Sequence, residues 1–232
     1  MTVAAIVLAA PPESPLADAD GVPRVRRIAD AAWAGGAIPI VVVSADPDDT
    51  ISTALAGAQA SLAGGHAALA RPVPPGTGPA GQFVRGVGVA LSLVRDTDAV
   101  LVWPARFPWV GPETVTSLLE AHGVTPDALL RPTYGGTAGW PALVPLGHLE
   151  LLRSLGTDRT ADEIVGTLIA AESPYRALDL GDPGTTIDGD TSRPALPAYD
   201  GPPEPAGGHV HEWGAAVAER PDEPPAPPTV VG

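Results

Sequence analysis

The stretch TVAAIVLAAPPESPLADADGVPRV, residues 2–25, decides the fold. Its apolar beginning predicts a buried strand over Val3–Ala10, and the helical spacing of the apolar residues that follow predicts a helix over Val22–Ala34. A strand that ends in small residues and leads into a helix is a common place for a phosphate-binding loop, which needs glycines and a basic side chain. Here Pro11–Glu13 follows the strand, and no basic residue precedes Arg24.

The same order of strand and helix repeats along the chain. Apolar runs predict further strands at Ile38–Ser44, Ala67–Ala70, Ala99–Trp103, 128–133 and 140–144, and short ones at Arg176–Leu180 and Thr185–Ile187. Helices are predicted over about 46–62, 81–95, 111–122, 146–155 and 160–171. This alternation predicts a three-layer α/β/α domain over residues 1–197 with a mostly parallel sheet, whose ligands bind beyond the carboxyl ends of the strands.

Residues 198–232 differ from the rest because they are rich in proline and acidic side chains. Such a composition predicts a disordered tail. Its proline-free part, 206–220, places Trp213 and Val217 four residues apart. This spacing predicts a short helix that becomes ordered only by docking, either on its own domain or on a protein partner.

The charge balance and the missing residue types exclude several classes of function. The chain has 13 basic and 27 acidic residues, a net charge of −14, which argues against nucleic acid and anionic membranes as partners. It has no cysteine, so thiolate catalysis and cysteine-ligated metals are excluded. His209 and His211 could bind zinc or copper or be solvated. With no charged leader before its first apolar run and no long apolar segment, the sequence predicts a cytoplasmic protein.

Four segments, AAIVLAA, AVLVWPARFPWVGPETV, RPTYGGTAGWPALV and TTIDGDTSRP, resemble in their order and spacing the MobA-like nucleotidyltransferases. These enzymes attach GMP or CMP to molybdopterin, and the resemblance covers about residues 3–195. It implies a Rossmann-like fold of the nucleotide-diphospho-sugar transferase type, and Mg²⁺ as the cofactor of an active member. The ligand-binding positions that it implies are Leu8, Ala9, Ala10, Arg106 and Arg131, and the metal-binding positions are Asp188 and Asp190.

The chain departs from this family pattern at the groups that hold phosphate and metal. Pro11 stands where the family has a glycine, and the basic residues of the first loop are missing, the lysine necessarily so because the chain contains none. Arg106 stands where the family has the aspartate that holds Mg²⁺, and an arginine repels a cation. These differences predict a catalytically impaired member that binds a partner protein or a nucleotide or pterin-type ligand. An active molybdenum-cofactor nucleotidyltransferase and a nucleotide-sugar-type transferase remain alternatives.

The same residues also have simpler interpretations. Arg106 could pair with Asp188 or Asp190, or lie exposed on the surface. The two aspartates could ligate a cation or only form a turn. Three tryptophans near the expected cleft could stack on a base or pterin or pack in the core: Trp103, Trp109 and Trp140.

Overall fold

The computed structural model describes residues 2–10, 14–45, 48–58, 68–74, 76–171 and 174–201. The division of the chain into units falls after residue 202, five residues beyond the boundary expected from the sequence. The expected tail lies outside the described residues from position 202 onward, and this part includes the four tail residues singled out from the sequence: His209, His211, Trp213 and Val217.

The described residues form ten strands and six α-helices. The strands are β1 (Thr2–Leu8), β2 (Asp18–Ala19), β3 (Val22–Pro23), β4 (Ile40–Ser44), β5 (Ala68–Pro72), β6 (Thr97–Pro104), β7 (Leu129–Tyr134), β8 (Thr137–Ala138), β9 (Ala142–Pro145) and β10 (Tyr175–Asp179). The helices are α1 (Arg24–Ala34), α2 (Thr50–Leu55), α3 (Pro79–Leu93), α4 (Pro112–Val124), α5 (Leu149–Arg153) and α6 (Ala161–Ala170). Short 3₁₀ turns occupy Leu146–His148, Pro183–Thr185 and Arg193–Ala195.

The central sheet has eight strands in the described residues, in the order β10-β7-β9-β6-β1-β4-β5, with β8 paired to β7. All pairs that involve β1, β4 and β5 are parallel, as is the β7–β10 pair. Strand β9 runs antiparallel between β6 and β7. The predicted mostly parallel α/β sheet is therefore confirmed, with β9 reversed inside it and the two-residue strand β8 antiparallel to β7.

Strand β1 lies near the middle of the sheet and is buried from Val3 to Leu8, because helices cover both of its faces. The connection through α1 runs from β1 outward to β4, and the connection through α3 runs back from β5 to β6. Right-handed crossovers in opposite directions place these helices on opposite faces. Helix α3 packs closely on the sheet at Gly86, where an added Cβ would collide with the side chain of Ile6.

Some predicted elements differ in extent or type. The strand expected at Thr185–Ile187 is wrong: Pro183–Thr185 is a 3₁₀ turn, because Asp182 accepts the N–H of Gly184 at 2.8 Å and tightens the chain there. Helix α2 is shorter than the expected 46–62, and part of that range lies outside the described residues.

The start of helix α6 follows the sequence closely. The Thr160 hydroxyl accepts the N–H of Glu163 at 3.2 Å, and the Glu163 carboxylate accepts the N–H of Thr160 at 2.8 Å. This is the reciprocal capping pattern that T-x-x-E predicts. The hydrogen bonds from Thr160 also lower the pKa of the Glu163 carboxyl.

No helix of the described residues is long and apolar enough to cross a membrane.

Candidate active site

The carboxyl end of β1 brings Leu8, Ala9 and Ala10 to the edge of the sheet where ligands are expected, but all three are buried. The Ala9 N–H donates to the carbonyl of Val43 at 2.8 Å. The Ala10 N–H donates to Oε1 of Gln82 at 3.1 Å. Backbone N–H groups that already have internal acceptors cannot cradle a phosphate. The side chain of Gln82, a fully buried residue of α3, accepts the Ala10 N–H in place of a phosphate oxygen. Gln82 was not identified from the sequence.

Arg106 follows β6 at the same edge of the sheet. Its guanidinium Nη2 lies 4.0 Å from Oδ2 of Asp162, and its Cζ lies 5.0 Å from the centre of the Phe107 ring. The side chain is 46% exposed, so this ion pair is loose and solvated. The ion pair found for Arg106 is therefore with the first turn of α6, rather than with Asp188 or Asp190.

Arg131 of β7 is held much more firmly than Arg106. Its Nε donates to the carbonyl of Gly139 at 2.8 Å, and its Nη2 donates to Oδ1 of Asp162 at 2.8 Å. The guanidinium also lies 4.6 Å from the centre of the Trp140 ring, within cation–π range. Arg131 and Arg106 thus share one carboxylate, Asp162, which the sequence analysis did not single out.

The acidic turn at Asp188 and Asp190 is built by its own backbone. Asp188 accepts the N–H of Asp190 at 3.0 Å, which is the bond of an Asx turn. The N–H of Gly189 donates to the carbonyl of Arg106 at 2.7 Å, so the turn lies directly beside the end of β6. The structure therefore places the segment around Arg106 next to the acidic turn, and both segments belong to the family pattern recognised in the sequence.

Arg24 supplies the cation of this turn. Its Nη2 lies 2.7 Å from Oδ1 of Asp190, and a Cβ added at Gly189 would lie 2.6 Å from its Nε. The side chain of Arg24 is only 6% exposed, whereas that of Asp190 is 84% exposed. Arg24 was not identified as a site residue, although its position four residues before the buried Ile28 already places it on the inner face of α1.

Asp182 fastens the segment that leads into this turn. Its carboxylate accepts the N–H of Gly111 at 3.0 Å and the hydroxyl of Thr114 at 2.6 Å, both at the start of α4. The carboxylate also accepts the N–H of Gly184. Asp182 is 3% exposed, so this set of bonds is buried and fixes the approach of the acidic turn to the sheet.

The residues at this edge do not fit Mg²⁺. A guanidinium, Arg106, follows the strand where the family has a metal-binding aspartate, and a second guanidinium, Arg24, occupies a carboxylate oxygen of Asp190. Among the described residues, no group of three or more histidine or carboxylate side chains is arranged to hold a metal ion. Mg²⁺ prefers several oxygen ligands in octahedral geometry, which this arrangement does not offer.

The three tryptophans pack rather than form an open stacking platform. Trp103 and Trp140 are buried at 0% and 2% exposure. The indole N–H of Trp103 donates to the carbonyl of Phe107 at 2.9 Å. Trp109 is half-buried, and its indole N–H donates to the carbonyl of Thr191 at 2.9 Å, which ties it to the acidic turn.

The model of the MobA-like NTP transferase domain matches residues 13–173 of this chain. The chain belongs to the MobA-like NTP transferase family. A search of curated proteins found no significant match.

Solved structures share the MobA-like fold at low sequence identity. The manganese complex of Rv0371c from Mycobacterium tuberculosis is 16% identical with a TM-score of 0.59, over 77% of this chain and 88% of that one. A nucleotidyl transferase from Methanothermobacter is 17% identical with a TM-score of 0.58, over 77% and 87%. A 4-diphosphocytidyl-2C-methyl-D-erythritol synthase from Anaerococcus prevotii is 11% identical with a TM-score of 0.57, over 77% and 86%. These likenesses establish the fold, a mixed, mostly parallel sheet with helices.

Proposed function

We propose that this MobA-like domain binds a nucleotide or pterin-type ligand, or a protein partner, without catalysing Mg²⁺-dependent nucleotidyl transfer. The observation that carries the proposal is the 2.7 Å ion pair between Arg24 and Asp190. The pair places the guanidinium of Arg24 on the acidic turn at Asp188 and Asp190, the one family motif in which this chain retains the acidic residues.

Nucleotidyl transfer needs strong charge compensation on the triphosphate. Metal ions and preorganised donors stabilise the charge that develops on the leaving pyrophosphate. Here the N–H of Ala10 is bonded to Gln82, Arg106 replaces the metal-binding aspartate, and the chain has no lysine. These independent changes support a binding function over a catalytic one.

The cellular setting and the partner belong to the same proposal. A net charge of −14 favours a partner with a basic surface over nucleic acid. We place the protein in the cytoplasm and assign partner capture to the 206–220 segment, through Trp213 and Val217.

The experiment titrates GTP and CTP into the full chain by calorimetry, once with Mg²⁺ and once with EDTA, and then measures pyrophosphate release in the presence of molybdopterin. The expected result is the same affinity under both conditions and no pyrophosphate. Pyrophosphate release at ordinary enzyme rates would show instead an active molybdenum-cofactor nucleotidyltransferase with an altered site.

Two variants test the role of the arginines. Arg106→Asp alone leaves Arg24 on Asp190 and should not restore activity. The double variant Arg24→Met with Arg106→Asp removes both guanidiniums and should gain binding of Mn²⁺, measured by calorimetry, while still releasing no pyrophosphate. Arg153→Met, on the exposed side of α5, is the matched control and should bind no Mn²⁺. A double variant that does not bind Mn²⁺ would contradict the replacement of the metal by arginine.

A further inference from the structure

Asp162, in the first turn of α6, is the carboxylate on which two arginines converge at the carboxyl edge of the sheet. Its Oδ1 accepts a hydrogen bond from Nη2 of Arg131 at 2.8 Å, and its Oδ2 lies 4.0 Å from Nη2 of Arg106. Arg106 follows β6 and Arg131 belongs to β7, so two separate segments supply the guanidiniums. Two positive guanidiniums and one negative carboxylate leave one positive charge in excess.

The two arginines are held to different degrees. Arg131 is 12% exposed, and its bond to the Gly139 carbonyl and its contact with the Trp140 ring fix the direction of its guanidinium. Arg106 is 46% exposed, and its distance to Asp162 is at the outer limit of an ion pair. An exposed pair of this kind contributes little to stability, so Arg106 can turn toward a ligand at small cost. A fixed guanidinium therefore lies beside a movable one.

Asp162 is a weak competitor for these guanidiniums. Its side chain is 57% exposed, so water solvates the carboxylate whenever an arginine leaves it. A phosphate monoester carries a charge of about −1.5 to −2 near pH 7 and three acceptor oxygens, and it matches the planar fork of arginine in a bidentate manner. A phosphate group therefore attracts Arg106 more strongly than the single carboxylate does.

The other carboxylates near this pair of arginines have partners of their own. Glu163 accepts a hydrogen bond from Arg159 at 3.1 Å, and Asp190 is paired with Arg24 at 2.7 Å. Asp188 accepts the N–H of Asp190. The positive excess at the two guanidiniums is therefore retained locally, although the chain as a whole carries a charge of −14.

We propose that Arg106 and Arg131 bind a phosphate group of the ligand without a metal ion, and that Asp162 is an internal competitor which this phosphate displaces from Arg106. The inference rests on the proposed function, because it names the chemical group that the same edge of the sheet binds: a phosphate ester or a diphosphate. It gives Arg106 the role of compensating phosphate charge.

Calorimetry of the full chain with inorganic pyrophosphate, in the presence of EDTA, tests the inference without a base or a pterin. One saturable site is expected. Arg106→Met should weaken binding at least about tenfold, the loss of a hydrogen bond between charged groups. Asp162→Asn keeps an oxygen for Arg131 but removes the competing charge, so it should strengthen binding by about twofold to fivefold. A merely structural role of Asp162 would not produce a gain in affinity.

Matched controls come from the exposed turn before β6, at the other end of the strand that leads to Arg106. Arg95→Met and Asp96→Asn make the same changes of side chain there and should leave the affinity unchanged. Thermal unfolding of each variant separates lost binding from lost folding.

The inference is overturned if pyrophosphate shows no saturable binding, or if Asp162→Asn weakens binding. A loss in Arg95→Met as large as that in Arg106→Met would also overturn it, since it would show general attraction of anions to arginine. Acetate that binds as tightly as pyrophosphate would contradict the preference for phosphate.

The failure of this inference is distinct from the failure of the proposed function. Binding of GTP or CTP without binding of pyrophosphate would overturn the phosphate site and leave the proposed function in place. Binding of pyrophosphate that depends on Arg106, with no binding of GTP, CTP or molybdopterin, would support the phosphate site and remove the nucleotide and pterin ligands from the proposed function.

Discussion

The Nη2 of Arg24 lies 2.7 Å from Oδ1 of Asp190, and 166 residues separate the two in the sequence. The pair joins the first residue of α1 to the turn that follows the last strand of the sheet. A buried arginine of the same domain thus forms an ion pair with the acidic turn at which the family resemblance implies a metal.

The first prediction concerns how Arg24 stabilises the domain. Its stem is buried, whereas its partner Asp190 is mostly exposed, so packing should contribute more than charge. Arg24→Met keeps most of the stem and should change the free energy of unfolding by less than about 1 kcal/mol. Arg24→Ala should cost about 2 kcal/mol or more. Urea unfolding measures both, and equal losses in the two variants would show that the charge matters more than the stem.

The second prediction uses two glycines of α3. A Cβ at Gly86 would collide with Ile6 and lie 3.1 Å from Cγ2 of Val43, whereas a Cβ at Gly88 meets nothing within 4 Å. Gly88→Ala should therefore stabilise the protein by about 0.5–1 kcal/mol through helix propensity. Gly86→Ala should destabilise it by about 1–3 kcal/mol through overpacking. Chemical denaturation compares them, and a stabilising Gly86→Ala would contradict the close contact of α3 with the sheet.

The third prediction is a pH dependence that comes from His122. Its pKa in the folded state lies below the ordinary value of 6.5, because burial disfavours the charged ring. As the pH falls below 6.5, the unfolded chain takes up this proton first, so stability is lost until the folded-state pKa is passed. The slope from this residue is at most about 1.4 kcal/mol per pH unit.

His122→Phe should remove that part of the pH dependence. Guanidinium unfolding at a series of pH values between neutral and acidic conditions measures it in the wild type and the variant. Parallel stability curves for the two proteins would show that His122 titrates alike in the folded and unfolded states.

The fourth prediction places the end of the folded domain. The N–H of Asp200 donates to the carbonyl of Gly181 at 2.9 Å, beyond the boundary at residue 197 that composition indicates. Truncation after Gly201 should leave the melting temperature nearly unchanged. Truncation after Ala198 removes this bond and should lower the melting temperature by about 2–4 °C, as expected for a loss near 1 kcal/mol in a domain of this size. Differential scanning calorimetry distinguishes the two truncated proteins. If the chain truncated after Gly201 is unfolded, the tail is an integral part of the domain.

Local patterns in the sequence were sufficient for most of the elements. The apolar run of β1 predicts a strand buried on both faces, and Pro112 after Gly111 predicts the start of α4. The T-x-x-E pattern predicts the cap at Thr160. These predictions succeed because strand burial, proline geometry and capping each depend on residues a few positions apart.

The contacts that give the site its chemistry depended on the tertiary structure. By the family resemblance, the sequence placed Arg106 where such enzymes have a metal-binding aspartate, and it showed that no basic residue precedes Arg24 in the first loop. It could not show that Arg24 rather than Arg106 pairs with Asp190, that Gln82 binds the N–H of Ala10, or that β9 runs reversed between β6 and β7. Such pairs lie far apart in the chain and are brought together by packing of helices on the sheet, and no local period of 2 or 3.6 residues encodes them.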